Sequence, residues 1–208
     1  MPKRQMPKRQ IFLTALAAIA GFSGMVLCIA FLASSTGPSK DTRPGAIGGP
    51  FALSDDTDAP VTERVLAGKP YTIYFGYTYC PEICPTTLLD LSRWIKALGT
   101  DAAKLNYVFV TVDPERDTSQ LMHVYLSSFD KRIRGFTGTP EQIAKIARQY
   151  RVYYNKIPTK DGGYVMDHSS IIYLMGPDGK FVSVIAYQES DASAVAKLRN
   201  LVALTPSS

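Results

Sequence analysis

The stretch Tyr77-Thr78-Tyr79-Cys80-Pro81-Glu82-Ile83-Cys84-Pro85 lies between two segments of different character. The short run 71–75 before it is β-branched and aromatic, which predicts a buried strand. After it, leucine and isoleucine recur at helical spacing until Gly99, which predicts a helix that ends there. The two cysteines are therefore predicted to lie at a strand-to-helix junction, close to the N-terminus of the helix.

The spacing of Cys80 and Cys84 is compatible with two uses. Four residues of helix rise about 6 Å with little rotation, so both sulfurs lie on one face. A disulfide tolerates Cα separations of roughly 4.4–6.8 Å, which includes this one. The partial positive charge at a helix N-terminus also favours thiolate over thiol. The pair is thus suited to bind a soft metal ion when reduced and to form a disulfide when oxidised.

The composition excludes several classes of protein. The chain has 208 residues, of which 46% are apolar, so one ordinary domain with a real core is expected. Three cysteines are too few for a disulfide scaffold. The net charge of +5 comes entirely from residues 1–40, which contain five basic residues and no acidic one. The remaining chain is neutral, so no nucleic-acid partner is expected.

The N-terminal segment, residues 1–50, is predicted to contain a membrane anchor. Residues 1–10 form a basic flank, and residues 11–33 carry no charge. As a helix, the uncharged segment would be about 34 Å long, enough to cross a bilayer. The positive-inside rule places the flank in the cytoplasm and the rest of the chain across the membrane. A cleaved signal peptide is the alternative, with Ala33-Ser34-Ser35 as its cleavage site. Residues 34–50 are predicted to form a linker.

Residues 51–208 are predicted to form a single α/β domain. Segments 51–54 and 61–63 indicate a small hairpin, and 105–112 indicates a second buried strand. Asp117 or Thr118 is expected to begin a helix that extends to Phe129, and Thr139-Pro140-Glu141-Gln142 is a capping box for the next helix. A strand hairpin over 169–187 and a helix over 191–204 complete a three-layer sandwich.

Two histidines are present, and their settings differ. His123 lies in a helical stretch and is predicted to be a surface or partly packed side chain. His168 precedes a strand of the predicted central sheet, where sites in α/β proteins gather. Together with Cys80 and Cys84 it gives a soft ligand set that prefers Cu(I), with Zn(II) and Cu(II) as competitors. Met166 would face the same side of a strand as His168, either as a thioether ligand or as packing.

Several motifs together resemble the Sco (SenC) family of copper chaperones. They are Cys80-Pro81-Glu82-Ile83-Cys84-Pro85, Val112-Asp113-Pro114-Glu115-Arg116-Asp117-Thr118, Tyr150-Arg151-Val152-Tyr153-Tyr154 and Asp167-His168-Ser169, and they occur in matching order between about Gly48 and Leu204. The resemblance implies a thioredoxin-like fold with extra strands, and copper bound by Cys80, Cys84 and His168.

The resemblance also implies a role and a location. The role is to build the binuclear copper centre of cytochrome c oxidase subunit II, with other periplasmic copper carriers as further partners. The location is a bacterial inner membrane with the domain in the periplasm, or alternatively a mitochondrial inner membrane with the domain in the intermembrane space. A protein of this kind is a metallochaperone rather than an enzyme.

A thiol–disulfide oxidoreductase that uses Cys80 and Cys84 is the alternative function. An oxidising compartment makes dithiol chemistry available. Against it, the cysteines have three intervening residues instead of the usual two. Thioredoxins place a cis-proline where this chain has Asp167-His168-Ser169.

Three other residues near these motifs have open roles. Asp113 is expected either to hydrogen-bond to a ligand or to stabilise its loop. Tyr77 and Tyr79 are expected either to form an aromatic docking surface or to pack in the loop.

Overall fold

The computed structural model describes residues 46–206, in which nine strands and four α-helices are found. The strands are β1 (Ala52–Asp55), β2 (Pro60–Thr62), β3 (Tyr71–Gly76), β4 (Asn106–Thr111), β5 (Ile133–Thr137), β6 (Tyr154–Pro158), β7 (Tyr164–His168), β8 (Ile172–Met175) and β9 (Phe181–Ile185). The helices are α1 (Ile83–Leu98), α2 (Ser119–Leu126), α3 (Pro140–Tyr150) and α4 (Asp191–Val202). Short 3-10 helices cover Glu63–Leu66 and Gly99–Lys104.

Seven of the strands form one sheet, in the order β2-β1-β5-β4-β3-β8-β9. Strands β3, β4 and β5 are parallel to one another, and β8 is antiparallel to β3. Every residue of β3 is buried, as expected for a strand covered on both faces. The predicted N-terminal hairpin is confirmed as β1 and β2, and it extends the sheet at its far edge beside β5.

Helices cover both faces of this sheet. Tyr74 in β3 packs on Phe109 in β4, and Phe109 packs on Tyr125 in α2. Its neighbour Phe75 points to the opposite face, because strand side chains alternate, and packs on Tyr150 in α3. Helix α1 lies on the Tyr74 side, and α4 contacts α1. The predicted three-layer arrangement is therefore confirmed.

The local signals explain most of the helix boundaries. Gly99 ends α1 with a φ of 60°, a conformation that glycine adopts without strain. The hydroxyl of Thr118 accepts from the N–H of Leu121, so Thr118 is the residue that caps α2. The capping box at Thr139 is present as predicted. Helix α2 ends at Leu126, three residues before the predicted Phe129.

Three strands of the structure, β5, β6 and β7, are not predicted by the sequence patterns. Strand β5 continues the parallel part of the sheet. Strands β6 and β7 pair with each other as a separate two-stranded sheet, which we call the ribbon (residues 154–168). Its missed strand β7 ends at His168.

The predicted anchor and its flank, residues 1–33, lie outside the described residues, as does most of the predicted linker. Within residues 46–206, none of the helices has both the length and the apolar character needed to cross a bilayer.

Candidate metal centre

The two cysteines lie at the junction of β3 and α1, as predicted. The N–H of Cys80 donates to the carbonyl of Tyr77 at 3.3 Å, which closes the turn after the strand. Cys84 is the second residue of α1, and its N–H donates to the Cys80 sulfur at 3.3 Å. A free N–H at the helix N-terminus thus faces this sulfur, which favours its thiolate form.

A buried carboxylate holds the loop that leads to Cys80. Asp117 accepts from the N–H of Thr78 at 3.0 Å and from its hydroxyl at 2.5 Å. It also accepts from the hydroxyl of Thr111, at the end of β4, at 2.6 Å. Asp117 is fully buried, and this burial raises its pKa. Asp117 is therefore not the cap of α2, and its contacts join the cysteine loop to the neighbouring strand.

His168 reaches the cysteines because of the direction of β8. That strand runs antiparallel to β3 with Ile172 opposite Tyr74, so the residues just before it lie beyond the carboxyl end of β3. The Nε2 atom of His168 lies 3.4 Å from the Cys84 sulfur. Its Nδ1 atom lies 3.1 Å from the carbonyl oxygen of Ser169. Because a carbonyl only accepts, Nδ1 carries the proton in the neutral imidazole, and the Nε2 lone pair then faces the sulfur.

The structure brings the three predicted ligands together. The sulfurs of Cys80 and Cys84 and a ring nitrogen of His168 all lie within 4.8 Å of one another. Three ligands around one ion, at bonds of about 2.0–2.3 Å, would be separated by about 3.8 Å. The present spacing therefore needs only a small contraction to bind one ion. Both cysteines are buried, whereas His168 is half-buried, so the histidine side is the accessible side of the group.

The pKa values of the two thiols are shifted in opposite directions. The side chain of Cys84 donates to Cys80, and with further hydrogen bonds from backbone N–H groups this lowers the pKa of Cys80 to about 4, although burial opposes the shift. The same interaction with Cys80, together with burial, raises the pKa of Cys84 far above its ordinary value. In the metal-free protein Cys80 is therefore a thiolate, and Cys84 retains its proton.

Tyr74 contacts the site. The sequence predicts it only as part of a buried strand. The hydroxyl of Tyr74 donates to the Cys84 sulfur at 3.5 Å, and its ring packs at 6.4 Å on the ring of His168. Burial raises the pKa of Tyr74 far above its ordinary value, so the hydroxyl stays a donor. A tyrosine within an apolar run carries no local signal for this role.

His123 behaves as a surface residue, and Met166 behaves as a packing residue. His123 is exposed and pairs with Asp56 at 3.0 Å, as predicted for a surface histidine. Met166 is buried within the hydrophobic core, on the same face of β7 as His168. Its position supports the packing interpretation.

Asp113 contacts neither of the cysteines nor the histidine among its described hydrogen bonds. Its carboxylate is fully buried and accepts from Nε of Arg116 and, at 2.8 Å, from the hydroxyl of Tyr164. These contacts favour the loop-stabilising interpretation.

Tyr77 is buried and packs edge-on against His168 at 5.7 Å, whereas Tyr79 is more than half exposed. Of the two tyrosines, only Tyr79 remains a candidate for a docking surface.

Comparison with known proteins identifies the same region. The model of the SCO1/SenC family matches residues 39–203. The mitochondrial SCO1 homolog 1 of Arabidopsis thaliana is 45% identical over 155 residues, which cover 73% of this chain and 45% of that protein. The chain spans about half the length of the first curated relatives it matches.

Solved structures match the described domain. ScoI of Bradyrhizobium japonicum with copper bound is 51% identical with a TM-score of 0.70, and the match covers 75% of this chain and 99% of that one. Yeast Sco1 with copper bound is 37% identical with a TM-score of 0.71, and the match covers 76% and 89%. These likenesses confirm the predicted thioredoxin-like α/β fold.

Proposed function

The chain belongs to the SCO1/SenC family, and from this premise we propose that it is a copper chaperone for cytochrome c oxidase assembly. It binds one Cu(I) ion through Cys80, Cys84 and His168 and delivers the ion to the binuclear copper centre of subunit II. The observation that carries this proposal is the group of two sulfurs and one imidazole nitrogen within 4.8 Å of one another.

The donor set supports copper over the competing metals. Two thiolates and one neutral imidazole are soft ligands, which Cu(I) prefers. A structural zinc site is almost always closed by four ligands, whereas three candidate ligands come together in the described part of this chain. The copper-bound relatives with 51% and 37% identity support the same choice of ion. Cu(II) binding is a further possibility at the same ligands.

The site is suited to transfer because its three ligands are not equally accessible. Both cysteines are buried, and the histidine is half-buried. A soft ligand of a partner protein can therefore approach the ion from the histidine side and displace the imidazole. The ion then passes to the partner without leaving protein ligands, and the cysteines are displaced last.

The ligand proposal is tested by comparing the two histidines of the chain. His168→Ala should weaken Cu(I) binding by about 100-fold or more, since even substitutions around a metal ligand cost 10–100-fold. The matched control His123→Ala, on the exposed pair with Asp56, should bind copper like the unmodified chain. X-ray absorption of the loaded protein should detect two sulfur ligands and one nitrogen ligand. Unchanged affinity in His168→Ala would contradict the proposal.

Delivery needs its own experiment. The copper-loaded chain is mixed with the metal-free copper domain of subunit II, and the two proteins are separated and assayed for copper. We expect the copper to be recovered with subunit II. If it stays on the chain, or moves equally well to an unrelated protein with the same soft ligands, the delivery step is wrong.

We also propose that residues 11–33 anchor the domain to a bacterial inner membrane, with the domain in the periplasm. A mitochondrial inner membrane is the alternative, and the mitochondrial relatives support it by name. In either case, the full chain should stay with the membrane pellet at alkaline pH. Release into the supernatant, with a new N-terminus near Ser34, would instead identify a cleaved signal peptide.

A dithiol oxidoreductase is a second candidate, favoured by the acidities of the two cysteines. The thiolate of Cys80 would attack a partner disulfide and displace one partner sulfur as a thiolate. Cys84 would lose its proton and attack Cys80, which closes the Cys80–Cys84 disulfide and leaves the partner with two reduced sulfurs. Catalytic reduction of generic disulfides by His168→Ala as well as by the unmodified chain would favour this function.

A further inference from the structure

The ribbon that carries His168 is not part of the main sheet. Within residues 46–206, β6 and β7 form ladder hydrogen bonds only with each other, and the seven-stranded sheet does not include them. Cys80 and Cys84, in contrast, lie on a turn and a helix continuous with the central strand β3. The distance between the imidazole and the sulfurs therefore depends on the connection of His168 to β8 and on side-chain contacts between the ribbon and the cysteine loop.

Arg116 makes the polar contacts that hold the start of β7. Its Nη1 atom donates to the carbonyl oxygen of Tyr164 at 3.0 Å, and its Nε atom donates to the buried carboxylate of Asp113. The hydroxyl of Tyr164 donates to the same carboxylate at 2.8 Å, which closes a ring of three residues. The guanidinium carbon also lies 3.7 Å from the centre of the Tyr164 ring, a close stacking contact.

The same guanidinium also faces the cysteine loop. Its carbon lies 4.8 Å from the centre of the Tyr79 ring and 5.8 Å from that of Tyr77. Tyr79 directly precedes Cys80, and the ring of Tyr77 packs edge-on against His168. Arg116 therefore lies between the two segments that supply the candidate ligands, and it contacts aromatic rings from both.

We propose that Arg116 is a positioning residue that fastens the ribbon to the cysteine loop and so sets the distance from His168 to the two sulfurs. The proposal rests on the proposed copper site. Tyr164 and His168 lie on the same face of β7, because they are four residues apart in one strand. A contact that holds Tyr164 in place therefore also holds β7, the strand that contains His168. Lysine cannot replace arginine here, because it lacks a planar fork that donates in two directions while it stacks.

A double-mutant cycle on copper affinity tests this role. Arg116→Gln should lower Cu(I) affinity by about tenfold, less than His168→Ala, because the imidazole is displaced but still present. In the His168→Ala background, Arg116→Gln should cause no further loss, since it acts through that imidazole. Arg134→Gln is the matched control. Arg134 also pairs with an aspartate, at 3.1 Å, and stacks on an aromatic ring, at 5.3 Å, but it lies in β5.

Two measurements without copper separate a positioning role from general damage. Arg116→Gln should weaken the NMR cross-peaks between the rings of Tyr77 and His168 and speed amide exchange in the ribbon. It should leave amide exchange in β3 and α1 unchanged, because neither element belongs to the ribbon.

Three results would overturn the proposal: an unchanged affinity in Arg116→Gln, an equal loss in the His168→Ala background, or faster amide exchange in β3 and α1. These results differ from failure of the copper site itself. In that case His168→Ala alone would already leave the affinity unchanged.

Discussion

Binding of one Cu(I) ion to the reduced chain at pH 7 should release one proton. Metal ligands must lose their protons when an ion binds, so the number released reports the protonation state of the empty site. Two cysteines with ordinary pKa values would both be thiols at this pH and would release two. The structure predicts a smaller number, because the two thiols lie in different electrostatic settings.

The predicted count follows from the contacts of each ligand. Cys80 accepts hydrogen bonds from the Cys84 thiol and from the Cys84 N–H, and its pKa is lowered to about 4. Cys84 shares its proton with Cys80 and is fully buried, and both effects raise its pKa. In the neutral form of its imidazole, His168 donates from Nδ1 to a carbonyl, and Nε2 then has no proton to lose. The one proton released comes from Cys84.

The same count fixes the pH dependence of the affinity. One released proton makes the binding constant rise tenfold for each unit of pH, which corresponds to about 1.4 kcal/mol of binding free energy. The slope should stay near one at pH 7 and above. It should become steeper at lower pH, where protonated ligands, Cys80 among them near pH 4, must also lose protons.

Calorimetry in buffers of different protonation enthalpy measures the proton count directly. The ion is supplied by a chelator whose own proton uptake is known, and the experiment is repeated between pH 6 and pH 8. His168→Ala serves as the control, because it should bind more weakly and still release one proton. Release of two protons at pH 7 would show that Cys80 is a thiol and refute the reasoning. Release of none would show that both sulfurs are already thiolates.

Three further predictions concern the framework of the site. Gly76→Ala should destabilise the fold by about 1–3 kcal/mol in urea and lower copper affinity, because a Cβ there would lie 2.9 Å from the sulfur of Cys84. Asp117→Asn should lower the free energy of unfolding by about 1–3 kcal/mol, since an amide cannot accept all three hydrogen bonds that the carboxylate accepts. Glu189 is partly desolvated, yet its bonds to Lys197 and neighbouring donors lower its pKa to about 2. Its stabilising effect is therefore present above pH 4.5 and lost as the pH falls towards 2, so Glu189→Gln should be less stable than the unmodified chain at pH 7 and equally stable at pH 2.

Strong local signals account for the part of the fold that was predicted. Strand β3 is an uninterrupted run of buried apolar and aromatic residues, and helix α3 begins at a complete capping box. These features are recognisable without knowledge of the rest of the chain. Strand β5 contains Arg134 and Gly135 in a segment of five residues. It lacks a clear apolar pattern and forms because β4 and β1 flank it on either side.

The ribbon was missed for a different reason. Every residue of β6 except the first is exposed, and the strand ends in Pro158. It has no buried face to produce the alternation that indicates a strand. Its pairing with β7 depends on a turn near Gly162, which has a φ of 86°, rather than on burial against the core.

The candidate ligands could be predicted, but most of their partners could not. Cys80 and Cys84 are close in sequence, so their spacing alone brings the sulfurs together. Tyr74 and Arg116 contact the site through folding, and neither belongs to a pattern that distinguishes it from a core tyrosine or a loop arginine. For such residues the sequence lacks a local signal, because the contact joins segments that are distant in the chain.

The cysteines and the histidine of the site are held by different parts of the fold, and this difference matters for metal release. Under the proposed function the site must hold an ion firmly and also release it, and one rigid set of three ligands serves only the first need. Here the two sulfurs lie on β3 and α1, whose positions the core determines. The imidazole lies on a ribbon that the structure joins to the site through Arg116 and Tyr164. A partner protein that contacts the exposed ring of Tyr79 would lie next to Arg116, where the ribbon meets the cysteine loop. Docking there can therefore weaken one ligand while the two sulfurs keep the ion bound.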